Sequence, residues 1–315
     1  MSDTTASLQR KITRAGDLQS VVRTMKALAA SSVGQYEKSV RALEGYYRVV
    51  ESGLGVCFRS ASPAALTIGE SRRTDSEAMG AVVFGSDQGL VGQFNEVVAD
   101  HAVKTLAALP GKPQLWAVGE RVHARLAEAG LPLIGRFTVP NSIRAITPLV
   151  GQILLESETG HSQGKFVELH LFYNRPTSGA VYAPVHQRLL PLDDTWRSDL
   201  AKFPWPTKNL PEILGDRTMT LRALIREYLF VSLFRACAES LASENASRLA
   251  AMQRAEKNID ELLNDLQGAY HRLRQSDIDE ELFDLVSGFE ALSKDGPQKD
   301  RKHRDCDLTF GTKSE

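Results

Sequence analysis

The residues best suited to chemistry in this chain lie in the run GSDQGLVGQFN (85–95), which follows an apolar stretch and enters a helical pattern. Backbone amides at such a strand-to-helix turn can cradle a phosphate. The glycines are spaced GxxxGxxG, however, which is neither GxGxxG nor a P-loop, and no GK[ST] occurs anywhere. A structural turn therefore outweighs nucleotide binding as the reading of this loop. Asp87 reads as a helix cap rather than a site carboxylate, since no metal-ligand partner stands at useful spacing. None of the seven histidines falls in HExxH, and there is no GxSxG elbow. His170 alternates with apolar residues in a strand and is expected to face solvent, while His123, His271 and His303 occupy polar helical or tail positions. Glu239, Glu244, Glu280 and Glu281 sit at spacings that solvate a helix face or pair with Arg across a turn. Cys57, Cys237 and Cys306 are too few and too scattered for a disulfide framework, a redox pair or a zinc site. No catalytic, cofactor-binding or metal-binding set emerges.

The elements that would hold such residues in place explain why. The 315 residues carry 38 Lys+Arg against 39 Asp+Glu, a net charge of −1, which disfavours a strongly basic nucleic-acid binder. The early basic residues Arg10, Lys11, Arg14, Arg23 and Lys26 lack aromatic interleaving and read as a solvated or partner-facing helix. Hydrophobic residues, 42% of the chain, never gather into an uncharged run of the ~18 that spans a bilayer. The N-terminus also lacks the apolar stretch of a secretory signal. A soluble protein of a reducing cytoplasm is expected, reaching any membrane only through partners.

Proline maps the architecture, because inside a helix it removes a donor and clashes with the preceding turn, at about 3 kcal/mol. None precedes Pro63 and none lies between Pro211 and Pro297. Residues 1–60 are therefore expected as an N-terminal coiled-coil helix, 61–79 as a linker, 80–215 as an α/β body, 216–292 as a C-terminal coiled-coil helix and 293–315 as a disordered tail. In the first helix Leu18, Val22, Met25, Ala29, Ser32, Tyr36, Val40, Leu43, Tyr47, Val50 and Leu54 step by fours and threes, with one stutter between Ser32 and Val40. In the second, a stripe runs from Leu221 through Leu249, Met252, Leu262, Leu266, Tyr270, Ile278, Leu282 and Leu285 to Phe289 and Leu292. At 1.5 Å per residue the two helices would extend over 70 Å and about 115 Å, too long for a body of this size to enclose. Between them AVVFG (81–85), QLWAV (114–118), FVELHLFYN (166–174) and AVYAPVHQRLLPL (180–192) read as strands, with helices near 94–109, 120–129 and 145–157. The fold class expected is an α/β body inserted between two long terminal helices that pair as an antiparallel, left-handed coiled coil. A shaft or tether suits such an object better than a catalyst; a coiled-coil scaffold and an α/β enzyme with coiled-coil arms are the alternatives.

The blocks ESLASENASRLAAMQRAEKN and RQSDIDEEL within 227–292, KITRAGDLQSVVRTMKALAAS (11–31), the 85–95 loop, and LFYNRPTSG with VHQRLLPL together resemble the gamma subunit, the central rotor stalk, of F-type ATP synthases. The resemblance spans roughly residues 7–292. It implies a coiled-coil shaft inside a ring of three alpha and three beta subunits, with the body gripping the epsilon subunit and the membrane-embedded c ring. It implies no cofactor and no active site on this chain, and a peripheral place on the cytoplasmic face of a bacterial plasma membrane. Arg274 and Gln275 match the family's RQ pair, implied to bond a catch loop of a beta subunit, and Met25 and Lys26 match the opposing stretch of the first helix. Phe203 and Trp205 fall in the segment implied to lie near the foot. The chain departs from the family pattern in reading SVGQYEKSV (32–40) where a basic cluster is usual, and in carrying Val91 where a Cys is usual.

Overall fold

A computed structural model of the chain describes residues 4–60, 78–178, 181–209 and 211–294. In order, the elements are α1 (Thr5–Ser60), β1 (Ala78–Phe84), α2 (Phe94–Ala108), β2 (Lys112–Val118), α3 (Glu120–Glu128), β3 (Leu133–Phe137), α4 (Ile143–Ser162), β4 (Glu168–Arg175), β5 (Ala183–Leu190), α5 (Asp194–Lys202) and α6 (Arg217–Lys294). Most of the expected linker, 61–77, and the tail from 295 onward lie outside the described residues. The chain divides into two units, one of residues up to Asp17 together with those from Ile259, the other Leu18–Asn258.

In the larger unit five strands form one sheet in the order β3-β2-β1-β4-β5, parallel except for the antiparallel β4–β5 pair. β1 is central, and a central parallel strand buried on both faces reads as a continuous apolar run rather than an alternating one. Its residues divide between two cores accordingly. Met79, Ala81 and Val83 join Val98, Ala102, Val122 and Leu126 under α2 and α3. Val82 and Phe84 join Leu54, Ile146, Ile153, Leu233, Ala238 and Leu241 under α1, α4 and α6.

Within this unit α1 and α6 run antiparallel. Arg23 and Lys26 both reach the Glu256 carboxylate, the Tyr46 hydroxyl donates to Glu227 at 2.7 Å, and the Tyr47 and Tyr228 rings stand 5.9 Å apart. Small residues set the close approaches. Ala236, Ala238 and Ala242 are buried on α6, and a Cβ on Gly55 would stand 2.6 Å from the Leu200 carbonyl oxygen of α5.

Several expectations need correction. Leu18, placed in the seam, is 59% exposed, whereas Ala29, Tyr36, Val50 and Leu54 of the same seam are buried. His170 does not face solvent: it is 1% exposed on the sheet face covered by α2. Glu239 and Glu244 do pair with Arg across a turn, yet they are buried instead of solvating a face. β3 and α5 had no counterpart in the sequence pattern.

In the smaller unit Leu8 and Ala15 are buried and Ile12 half-buried, a seven-residue seam continuing the period of α1. Leu263, Leu266, Tyr270 and Leu273 are half-buried on α6, with Leu262 the exposed neighbour.

Candidate functional site

The middle of α6 is fastened to the body by polar side chains one turn apart. Glu239 accepts from Arg175 Nε at 2.7 Å and from Arg235 Nε at 2.8 Å, so two guanidiniums share one buried carboxylate. Arg175 also donates to the Tyr173 hydroxyl, whose pKa is pushed up to about 12, chiefly by burial. The Ser243 hydroxyl donates to the Asn174 carbonyl at 3.0 Å, Asn174 Nδ2 donates to the Phe94 carbonyl at 2.9 Å, and the Ser247 hydroxyl donates to the Val91 carbonyl. Glu239, Ser243 and Ser247 repeat every four residues and so share one helix face. The Glu-x-x-x-Ser-x-x-x-Ser spacing was available in the sequence; the partners, far away along the chain, were not.

The 85–95 loop is built as a turn. Ser86 N donates to Asn95 Oδ1 and Asn95 Nδ2 to Ser86 Oγ, both at 2.9 Å. Gly85 admits no side chain, since a Cβ there would stand 2.3 Å from Val122 Cβ, and Leu90 and Gly92 take positive φ of 63° and 59°. Asp87 does cap a helix, though not the one that follows it. Its Oδ1 accepts from Glu120 N at the start of α3, and its Oδ2 from Val139 N beyond β3, both at 2.9 Å. On the neighbouring strands His170 Nδ1 lies 2.9 Å from His186 Nε2, and His170 Nε2 lies 2.9 Å from Glu168 Oε2. Burial first, then the positive fields of His170, His101 and Arg188, lowers the His186 pKa to about 4. Among the described residues no group of three or more His, Cys, Asp or Glu is arranged to hold a metal ion, and no helix is long and apolar enough to cross a membrane.

The residues singled out for partner contact fall into different settings. In the smaller unit Arg274 and Gln275 are exposed on α6. Beyond them Ile278, Leu282, Phe283, Leu285, Val286 and Phe289 are 53%, 58%, 72%, 72%, 50% and 75% exposed. Asp277, Asp279, Glu280, Glu281 and Asp284 interleave them, and no Lys or Arg stands between Ser276 and Glu290. An exposed apolar patch of this extent marks an interface. The seam expected through Ile278, Leu282, Leu285 and Phe289 is therefore exposed among the described residues. In the larger unit Met25 is half-buried, and the Lys26 ammonium is engaged with Glu256, 35% exposed. Phe203 is 65% exposed, with its carbonyl accepting from Arg59 at 3.0 Å, and Trp205 is half-buried.

A family described as ATP synthase has a model that matches residues 4–292. The chain is similar to the ATP synthase gamma chain of Moorella thermoacetica, 27% identical over 289 residues, which cover 90% of this chain and 98% of that one. The gamma chain of Salinibacter ruber is likewise 27% identical, over 306 residues covering 92% and 98%. Among solved structures, a chain of the Euglena gracilis mitochondrial ATP synthase rotor in rotational state 1 superposes with a TM-score of 0.59 at 16% identity, covering 87% of this chain and 98% of that one. A chain of the OSCP/F1/c-ring assembly from the same organism in rotational state 3 gives 0.64 at 16% identity, over 95% and 99%. At these identities the superpositions speak for the fold.

Proposed function

Because this chain belongs to the ATP synthase family, we propose that it is the gamma subunit, the central rotor stalk, turning inside a hexamer of alpha and beta subunits. The observation that carries this reading is the end of α6, whose apolar side chains lie open while its middle is bonded to the body. A helix end of this kind needs a socket, and the acidic residues around it favour one whose rim is basic. An asymmetric shaft in a threefold socket meets each catalytic subunit with a different face. It thereby shifts the populations of open and closed nucleotide sites by differential contact, as an effector must.

Torque enters through the body, which engages the epsilon subunit and the membrane c ring, with Phe203 and Trp205 near the foot. It reaches α6 through Glu239, Ser243 and Ser247. Arg274 and Gln275 make the catch contact with a beta subunit, and Met25 and Lys26 lie on the opposing stretch of α1. Bond-making at ATP belongs to beta; this chain is a non-catalytic subunit that couples ion flow to synthesis or hydrolysis. It is peripheral on the cytoplasmic face of a bacterial plasma membrane and is held there by its partners.

The test is reconstitution with alpha, beta and epsilon subunits and the membrane sector, comparing wild type with the double variant Arg274→Ala, Gln275→Ala at matched assembly yield. A hydrogen bond to a charged Arg contributes about 1.5–3 kcal/mol, so losing it in one rotational state should slow ATP hydrolysis and ATP-driven ion pumping about tenfold or more. Unchanged rates would remove the catch assignment. Failure of the wild-type chain to assemble with an alpha–beta hexamer would remove the rotor reading itself.

A further inference from the structure

The exposed end of α6 carries an excess of one charge, and the segment that follows it in the chain carries a cluster of the other. Asp277, Asp279, Glu280, Glu281 and Asp284 are all exposed, with no Lys or Arg between Ser276 and Glu290. They stand among the open side chains of Ile278, Leu282, Leu285 and Phe289. The family match stops at residue 292, so the segment beyond it is an addition to the family pattern. Residues 295–315 read DGPQKDRKHRDCDLTFGTKSE. Lys299, Arg301, Lys302 and Arg304 fall within six positions, with Asp300 the only acidic residue among them. Asp305 and Asp307 follow, and then the apolar Leu308 and Phe310.

Length permits these two stretches to meet. Asp284 and Asp277 precede Lys294 by ten and seventeen residues, which is about 15 and 25 Å along a helix. Arg304 follows Lys294 by ten residues, and an extended chain spans up to about 33 Å in that number. Gly296-Pro297, a helix-stopping and turn-forming pair, stands where the direction would have to reverse. The order of residue types matches as well: a basic run for the carboxylates and, a few positions on, two large apolar side chains for the apolar surface between them. Exposed ion pairs are individually weak and are screened by salt, so a contact of this kind holds through several pairs together with apolar cover, and it yields to a better-fitting partner.

We propose that residues 295–315 dock on the acidic, apolar face of α6 between Asp277 and Phe289, the basic run against the carboxylates and Leu308 and Phe310 against the apolar side chains. The segment covers the end of the shaft until a socket displaces it, and thereby sets a threshold for assembly. The identity of that socket rests on the rotor reading; the contact itself lies within this chain.

Cys306 is a natural handle for the test, because Cys57 and Cys237 are buried. A nitroxide on Cys306 of the full chain, read by methyl NMR, is expected to broaden Ile278, Leu282 and Leu285 at low salt. Raising the salt to about 1 M, where the screening length falls to about 3 Å, should restore those signals. The variant Lys299→Glu, Arg301→Glu, Lys302→Glu, Arg304→Glu should restore them at low salt. A chain ending at Lys294 should associate with an alpha–beta hexamer at least fivefold faster than the full chain. Unbroadened methyls at low salt, or broadening indifferent to the charge reversal, would overturn the proposal. So would equal broadening in an unlabelled chain ending at Lys294 when spin-labelled full chain is added, which would assign the contact to a second copy. Broadening as expected with neither chain assembling on the hexamer would leave the docked segment standing and remove the rotor reading instead.

Discussion

The middle and the far end of α6 invert the usual placement of side chains. Around Glu239, Ser243 and Ser247 polar groups are buried and apolar neighbours such as Ala238, Leu241 and Ala242 pack beside them. From Ile278 to Phe289 large apolar side chains are exposed and carboxylates stand between them. Buried polar groups are tolerated where each finds a partner, and in the middle the body of this same chain supplies them. At the end the large apolar side chains are left open among the described residues. The middle is bonded largely within the chain, although Ser240 Oγ and Glu244 Oε2 are buried without a partner, whereas the end presents open apolar surface.

The comparison breaks most sharply at Glu239. Changing it to Ala leaves Arg175 and Arg235 without their shared counter-charge, and removing one member of a buried ion pair typically costs about 3–5 kcal/mol. Both guanidiniums are partly exposed, 40% and 38%, which places the expectation near the lower figure. Denaturant unfolding of the full chain reads it directly, and a variant as stable as wild type would mean that α6 is fastened elsewhere.

The opposite behaviour is expected at the end. Leu285→Ser should change the stability of the isolated chain by no more than about 0.5 kcal/mol. In the assembled complex it should weaken association by up to about 1.5–3 kcal/mol, the value of fully burying such a side chain. Isothermal titration into an alpha–beta hexamer distinguishes the two, and equal losses in both settings would erase the distinction between the regions. Ser243→Ala sharpens the comparison in the middle. It should cost about 1 kcal/mol, because a single neutral hydrogen bond is lost and the Asn174 carbonyl is left without that donor.

The smallest effect concerns pH. His186 is held near 4, below its ordinary value of 6.5, so between these values the unfolded chain binds the extra proton and the folded one resists it. Its stabilising contribution is therefore present above about pH 6.5 and lost as pH falls toward 4. Since this ring is only partly buried, a modest fall in melting temperature is expected. Replacing it by Asn should flatten the melting profile across that window relative to wild type, and an unchanged slope would assign the acid sensitivity to other groups.

Much of this architecture could be read from the chain. Proline placement foretold the two long helices, because a missing donor acts locally and needs no knowledge of neighbours. The strands around Val82, Trp116 and Phe172 announced themselves as apolar runs between turns. What escaped depended on distant partners. β3 is a five-residue edge strand interrupted by Gly135, too short for its period to register. His170 looked like the outward half of an alternating strand, but α2 crosses that face and brings His101 against Phe172. The seam through Leu282 and Phe289 has the right period for burial, yet period says only that residues share a face, not what covers it. The same limit applies to the candidate site. Arg274 and Gln275 stand out only through the family resemblance; the pairs of Glu239 with Arg235 and Glu244 with Arg248 were legible as spacings across a turn, while the bond from Arg175 to Glu239 was not, because Arg175 lies far away in sequence.

The row of fasteners on α6 has a mechanical meaning beyond its contribution to stability. Residues repeating every four positions form a ridge inclined by about 26° to the helix axis, so the row behaves less like a rivet line than like one thread of a screw. Twisting α6 about its axis displaces Glu239, Ser243 and Ser247 in the same sense and strains all three bonds at once, and drawing the helix along its axis does so as well. Neither motion can be relieved at one anchor without loading the other two. Slippage of the helix against the body must therefore break the bonds together, and elastic give during rotation is directed away from this stretch, into segments of the chain that lack such a thread.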